Sequence, residues 1–231
     1  EVGPGQAVRI FTGGFVPVGA DSILLQEDAE AADGAVLVKE TVTRGRWVRR
    51  RGLDFAEGEA LLAPGRRLTA RDIGLAAASN NPWLAVHRRP RVGILATGDE
   101  IALPGDPIPA GGIVSSNAHA LAALIRAGGG EPIVLPIAPD DTSAIADIAA
   151  SAHGYDLLVT TGGASVGEHD LIQKALGGEG FELGFWKIAM RPGKPLIWGR
   201  LGRVPVLGLP GNPVSALVCG IVFLLPALAR L

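Results

Sequence analysis

Four short stretches carry residues whose types and spacing could do chemistry, and each follows an apolar run. Thr97-Gly98-Asp99-Glu100 follows Arg91 to Ala96. Pro139-Asp140-Asp141 follows Ile133 to Ile137. Thr160-Thr161-Gly162-Gly163-Ala164-Ser165-Val166-Gly167 follows Asp156-Leu157-Leu158-Val159 and precedes Glu168 and Asp170. Pro210-Gly211-Asn212-Pro213-Val214-Ser215 follows Val204 to Leu209. A strand that empties into a Gly/Ser/Thr loop and then a helix presents N–H groups, hydroxyls and a helix N-terminus together, which suits an anion, most often a phosphate. The same loop can also be only a tight turn in which glycine supplies a positive φ. The oxygen-rich carboxylates of the neighbouring stretches suit a hard divalent cation such as Mg²⁺.

Lysine usage adds a cationic partner. The chain has four lysines against seventeen arginines, and two of the four lie in Trp186-Lys187-Ile188-Ala189-Met190-Arg191-Pro192-Gly193-Lys194-Pro195. A chain this biased toward arginine would use arginine at indifferent surface sites, and lysine is a compact point charge that arginine does not mimic in a crowded site. Lys187, Arg191 and Lys194 could therefore neutralise an anionic ligand. Asp141 reads first as a helix cap, whereas Asp140 beside it and the adjacent pair Asp99 and Glu100 exceed what turns require. Asp170 fits either a cap or a ligand. His87, His119, His153 and His169 show no ligand spacing and read as surface residues. The chain contains no Walker-type loop, no GxGxxG after the first strand and no Ser-His-Asp arrangement.

Elements that would position these loops follow from periodicity and punctuation. Residues 90–231 alternate strand and helix, with Ser116, Asp141 and Asn212 as helix caps and Gly128-Gly129-Gly130 as a stop. Strands are expected at Arg91 to Thr97, Ile133 to Ile137, Leu157 to Thr160, Phe181 to Met190, Leu196 to Leu201 and Val204 to Leu209. This succession predicts an α/β domain with a mostly parallel sheet covered by helices on both faces. Ligands then bind outside the carboxyl ends of the strands, where the four loops emerge. Residues 1–59 have a β texture, with runs at Val8 to Phe11, Ser22 to Leu25, Ala35 to Val38 and Trp47 to Arg49. The cluster Arg49-Arg50-Arg51 fits a protected strand edge or a binding role. Residues 60–89 read as a connector holding a helix from Ala70 to Ser79, opened by Thr69 and Asp72, and an edge strand from Trp83 to His87.

Bulk properties exclude several classes. The 231 residues are 48% hydrophobic and 19% charged, enough for a packed core, and the net charge of −2 argues against general nucleic-acid binding. A single cysteine, Cys219, rules out an intrachain disulfide and a cysteine-rich metal site. The apolar run from Ala216 to Ala229 is short and holds Gly220 and Pro226, so it reads as a buried helix, not a membrane span. Without a signal peptide the default expectation is the cytoplasm. The start at Glu1 and the apolar end at Leu231 suggest a fragment.

The motif set resembles that of the molybdopterin molybdenumtransferases, the MoeA/gephyrin E-domain family. The likeness rests on the Thr97, Gly162, Pro192-Gly193-Lys194-Pro195 and Pro210 stretches, with Arg9-Ile10-Phe11-Thr12-Gly13 and Arg49-Arg50-Arg51-Gly52-Leu53-Asp54 upstream. It runs through essentially the whole chain in order, and the set is more specific than any one motif. The resemblance implies insertion of molybdate into adenylylated molybdopterin with release of AMP, a Mg²⁺ requirement and a cytosolic homodimer. It also implies that the family's beginning and its C-terminal β domain are missing here. By carry-over Thr12, Asp54, Glu100, Asp140, Asp170 and Lys187 match functional positions. Arg191 stands where a lysine is common. Asp99, Glu100 and Asp140 are expected to hold metal or water, and Gly162, Gly163, Ser165 and Gly167 to hold phosphate. Lys187, Arg191 and Lys194 would hold molybdate and terminal phosphate. Thr97, Gly98, Pro210, Gly211, Asn212 and Ser215 complete the substrate-binding set. Two alternatives remain: a molybdopterin adenylyltransferase on the same α/β domain, and a non-catalytic scaffold or binding module. The β-rich residues 1–59 favour the molybdenum-inserting enzyme over the adenylyltransferase.

Overall fold

The structure, a computed structural model, describes the backbone of residues 1–162 and 168–231 and the side chains of all of these except 152 and 168–170. The chain forms two compact units, Glu1–Ala85 and Val86–Leu231.

The first unit contains one hairpin, β1 (Ala29–Ala32) and β2 (Ala35–Val38), paired antiparallel from Ala29↔Val38 to Ala32↔Ala35. Asp33 and Gly34 between them both take positive φ, 45° and 78°, the backbone that a two-residue hairpin turn demands. The strands expected at Val8 to Phe11, Ser22 to Leu25, Trp47 to Arg49 and Trp83 to His87 are absent. Alternating apolar residues become a strand only when a neighbouring edge accepts their hydrogen bonds. Here local turns take those groups instead: Gly14 N–H donates to Phe11 O, Arg46 N–H to Thr43 O, and Trp47 adopts φ 61°. No residue before Asp72 is fully buried. Helix α1 (Ala70–Ala78) begins at the expected capping box. The Asp72 carboxylate accepts from Thr69 N–H at 2.7 Å and Thr69 Oγ1 at 2.8 Å, and Arg66 Nε donates to it at 3.0 Å. Arg66, then the Thr69 donors, hold the Asp72 carboxyl at about 2.

The second unit is a six-stranded sheet between two helical layers. In chain order it contains β3 (Arg91–Thr97), β4 (Ile101–Ala102), β5 (Ile113–Val114), α2 (Asn117–Ala127), β6 (Glu131–Val134) and α3 (Thr142–Ala150). After these come β7 (Leu157–Gly162), α4 (Glu168–Gly177), β8 (Phe181–Trp186), β9 (Ile197–Leu201), β10 (Val204–Leu209), α5 (Pro213–Cys219) and α6 (Leu225–Leu228). The sheet order is β6-β3-β7-β10-β9-β8. The first four strands run parallel, and β9 lies antiparallel to both of its neighbours. The sheet is therefore mixed, with the parallel part where the loops of interest emerge. Strands β4 and β5 form a small separate parallel pair that periodicity did not anticipate.

Period-two alternation assigns each strand residue to one face. Ile94, Ala96, Val159 and Leu207 pack with Leu121, Ile125, Leu224 and Leu228 of the α2 and α5–α6 layer. Leu95, Leu158 and Val206 pack with Ile145, Ala149, Ile172 and Leu176 of α3 and α4. Truncating one fully buried leucine such as Leu121 to alanine would cost about 2–5 kcal/mol. The last helix is not regular: Gly220–Leu224 is a π-helical turn in which Leu225 N–H donates to Gly220 O. Pro226 explains it, because proline has no N–H to give and its ring clashes with the carbonyl four residues earlier, and the wider turn removes that conflict. Among the described residues no helix is long and apolar enough to cross a membrane.

Candidate functional site

The carboxyl ends of β3, β6, β7 and β10 meet at one edge, and glycines set how closely. Thr97 at the end of β3 aligns with Gly162 at the end of β7 and bridges to Ala138 beyond β6. A β-carbon on Gly162 would lie 2.3 Å from Thr97 O, and the residue's φ is +98°, so no other residue fits without moving backbone. A β-carbon on Gly211 would sit 3.4 Å from Gly162 Cα, which places the loop after β10 in contact with the exit of β7. Gly98 has φ +144°, and its missing β-carbon leaves the space in which the Glu100 carboxylate lies.

The acidic residues stand on this edge in different ways. Asp99 Oδ1 accepts from Asp140 N–H at 3.1 Å, joining the loops after β3 and β6. Asp99, Glu100 and Asp140 are all exposed. Asp141 is the cap of α3, accepting from Ser143 N–H at 3.0 Å and Ala144 N–H at 2.9 Å, and these donors with the Ser143 hydroxyl lower its carboxyl below the usual range. Thr97 Oγ1 is buried and has no hydrogen-bond partner among the described residues. Asn212 caps α5 by accepting from Ser215 N–H at 3.1 Å, with Pro213 in the first turn. Ser116 departs from expectation. It occupies the cap position of α2 but takes helical φ/ψ and makes no side-chain cap bond.

Asn117, one residue later, is the residue that sequence reasoning missed. Its Nδ2 donates to Thr161 Oγ1 at 3.1 Å and to Gly211 O at 2.7 Å. Asparagine is a poor helix former, so its presence in the first turn of α2 was the available signal.

Strand register also brings the cationic loop to this edge. Ile197 at the start of β9 pairs with both Gly208 near the end of β10 and Trp186 at the end of β8. The segment from Lys187 to Leu196 therefore emerges beside the loop after β10. It is closed on itself by Lys187 N–H to Leu196 O, Ile188 N–H to Lys194 O and Leu196 N–H to Gly193 O. A β-carbon on Gly193 would meet Cys219 Sγ at 2.7 Å, so the loop rests on α5. Burial pushes the Cys219 thiol up, consistent with a packing role. Lys187, Arg191 and Lys194 are exposed and form no ion pair among the described residues. The Lys187 ammonium lies 3.6 Å from the Trp186 ring centroid.

Thr12 and Asp54 belong to the first unit and are exposed there. Beside Asp54, Arg51, Phe55, Glu57 and Glu59 line a cavity of about 990 Å³ within that unit. Gly163, Ser165 and Gly167 lie outside the described residues, as does the side chain of Asp170. Among the described residues no three His, Cys, Asp or Glu side chains are gathered closely enough to cage one metal ion.

Residues 93–230, more than half of the chain, match the family described as a probable molybdopterin binding domain, and residues 1–79 match the MoeA N-terminal region, domains I and II. The chain belongs to the MoeA family. A molybdopterin molybdenumtransferase of Nostoc sp. is 38% identical over 99% of this chain and 53% of its own length. Molybdopterin molybdenumtransferase 2 of Mycobacterium tuberculosis is also 38% identical, over 97% of this chain and 57% of that protein. The crystal structure of a MoeA molybdopterin biosynthesis protein from Pyrococcus horikoshii superposes with a TM-score of 0.77 at 33% identity, covering 93% of this chain and 54% of that one. This MoeA-family chain thus spans about half the length of the curated relatives it matches. Both of its units take part in the likeness, the mixed sheet through the molybdopterin-binding match and the hairpin unit through the N-terminal match.

Proposed function

We propose that this chain carries the molybdate-inserting site of a molybdopterin molybdenumtransferase: adenylylated molybdopterin and molybdate enter, and AMP and the molybdenum cofactor leave. The observation that supports this most is the meeting of the carboxyl ends of β3, β6, β7 and β10 at one sheet edge. Acidic residues stand on the β3 and β6 side, contacting glycines at the centre, and a cationic loop on the β9 side.

The division of charge suits the chemistry. The substrate is a pyrophosphate ester and the co-substrate an oxyanion. Lys187, Arg191 and Lys194 supply positive charge for molybdate and the terminal phosphate. Gly162 and Gly211, lacking side chains, let the exits of β3, β7 and β10 pack closely at the centre of this edge. Glu100 and Asp140 orient the water or molybdate oxygen that cleaves the phosphoanhydride, and Asp99 holds the Asp140 backbone in place. The oxygen donors fit Mg²⁺ in type but form no preformed cage among the described residues, the usual situation for an ion bound by one or two carboxylates together with substrate phosphates. Asp99, Glu100 and Asp140 would hold it, and when bound it would neutralise charge on the phosphoryl oxygens. The reading includes a cytoplasmic homodimer, for which light scattering and cell fractionation are the measurements.

The deciding experiment supplies the purified protein with adenylylated molybdopterin, molybdate and Mg²⁺. Molybdate-dependent AMP release, with product that restores activity to a cofactor-free molybdoenzyme, is the expected result. AMP transfer from ATP to molybdopterin would overturn it in favour of the adenylyltransferase. A melting temperature unmoved by Mg²⁺, molybdate and AMP together would overturn it in favour of a non-catalytic module.

A further inference from the structure

We infer that Asn117 is a positioning residue for the substrate's anionic groups, acting through the two loops that it joins. Asn117 lies in the first turn of α2, outside all four chemistry-bearing loops, and is half-buried. Its amide nitrogen spans two acceptors from different strands: Thr161 Oγ1 at 3.1 Å, on β7, and Gly211 O at 2.7 Å, just beyond β10. A carbonyl oxygen can only accept, so the group facing Gly211 O is the NH₂, and both of its hydrogens are used.

The bracket sits where it matters most for a bound anion. Gly211 contacts Gly162, which in turn rests on Thr97 O, so the exits of β3, β7 and β10 form one row of backbone contacts. Gly211 and Gly162 have no side chains of their own to hold that contact. The clamp also orients a peptide plane. In a trans peptide the C=O and the next N–H point in opposite directions. With Gly211 O held toward α2, the Asn212 N–H is turned to the other side, and it donates to nothing among the described residues. An aspartate at 117 would keep the shape but place a carboxylate against Gly211 O, forcing that peptide to rotate or the loop to withdraw.

This inference rests on the proposed substrate and deepens it, so the test separates the two. Kinetics with adenylylated molybdopterin and direct calorimetric binding of the same compound are compared for wild type, Asn117→Asp, Asn117→Ala and Thr161→Val, with melting temperature measured for each. The expected result for Asn117→Asp is a rise of tenfold or more in KM and in the dissociation constant, kcat within about threefold, and a melting temperature within a few degrees of wild type. Thr161→Val leaves the Gly211 bond in place and should weaken binding by only a fewfold. Unchanged KM and affinity in Asn117→Asp, or a loss confined to melting temperature, would overturn the positioning role. If Asn117→Ala fails to fold, Asn117→Asp and Thr161→Val still decide it. Wild-type protein that binds the compound without inserting molybdenum would sink the proposed reaction while the binding series still tests Asn117. Wild-type protein that does not bind it would overturn both.

Discussion

The two ends of the parallel strands use the same residue types for opposite purposes. At the amino end, Asp156 binds Arg88 through both oxygens, at 2.5 and 2.7 Å, and also accepts from Arg91 N–H at 2.7 Å. Every strong contact of that carboxylate is directed inward, joining the start of β3 to the start of β7. Arg88 and the Arg91 amide depress the Asp156 carboxyl, and Asp156 raises Arg88 in return. At the carboxyl end, Asp99 spends one oxygen on the Asp140 amide, while Glu100 and three cations stay exposed with no ion pair among the described residues. Charges that neutralise each other within the chain hold the fold. Charges left exposed along one sheet edge are available to a ligand.

That contrast can be broken in order of effect. Glu100→Ala should lower molybdate insertion by about a thousandfold, the scale of removing a group that acts on the reacting atoms. The melting temperature should stay unchanged, because the Glu100 side chain is exposed. Normal turnover in this variant would move the reacting centre elsewhere. Gly162→Ala should act first on the fold. A side chain at φ +98° and 2.3 Å from Thr97 O should reduce unfolding free energy by about 3 kcal/mol or more, read by denaturant titration. Asp156→Ala should cost about 1 kcal/mol, because the pair is partly solvated and screened, and should leave kcat untouched. Thr69→Ala removes the cap of α1 in the other unit and should cost a similar ~1 kcal/mol.

The smallest effect is a pH dependence. Asp72 titrates at about 2 when folded against an ordinary 3.8. A depressed carboxylate contributes stability above its unfolded pKa, and that stability is lost as pH falls through the folded value. The α1 contribution should therefore fade between about pH 4 and 2, and Asp72→Asn should flatten that part of an acid unfolding curve. Asp156, lowered in the same direction, should add an acid loss for the second unit as pH falls below the ordinary carboxylate range.

How much of this could be read beforehand depended on whether a signal was local. The caps at Asp141, Asn212 and Thr69 are written in three or four consecutive residues, and all three form. The central strands β3, β7 and β10 are apolar runs buried on both faces, and the sheet's strands were legible, though β6 starts two residues early and β9 runs antiparallel. Val8 to Phe11 and Trp83 to His87 show the opposite case. Their pattern suits a strand, but pairing is decided by a partner edge that no local window contains. Asn117 was hidden for a related reason. Its two acceptors lie 44 and 94 residues away, so only the folded chain reveals why an asparagine begins that helix.

The π-helical turn at Gly220–Leu224 works as a vernier between two halves of the last helix. Buried positions there recur at Ala216, Gly220, Leu224 and Leu228, every fourth residue, and in an unbroken α-helix each such step overshoots by roughly 40°. The wider turn absorbs the accumulated excess, so Leu228 still lands over Gly128 and Gly130, whose bare backbones form the trough it fills. Removing a single residue from that turn would restore helical regularity yet swing Leu228 by roughly 100° toward water.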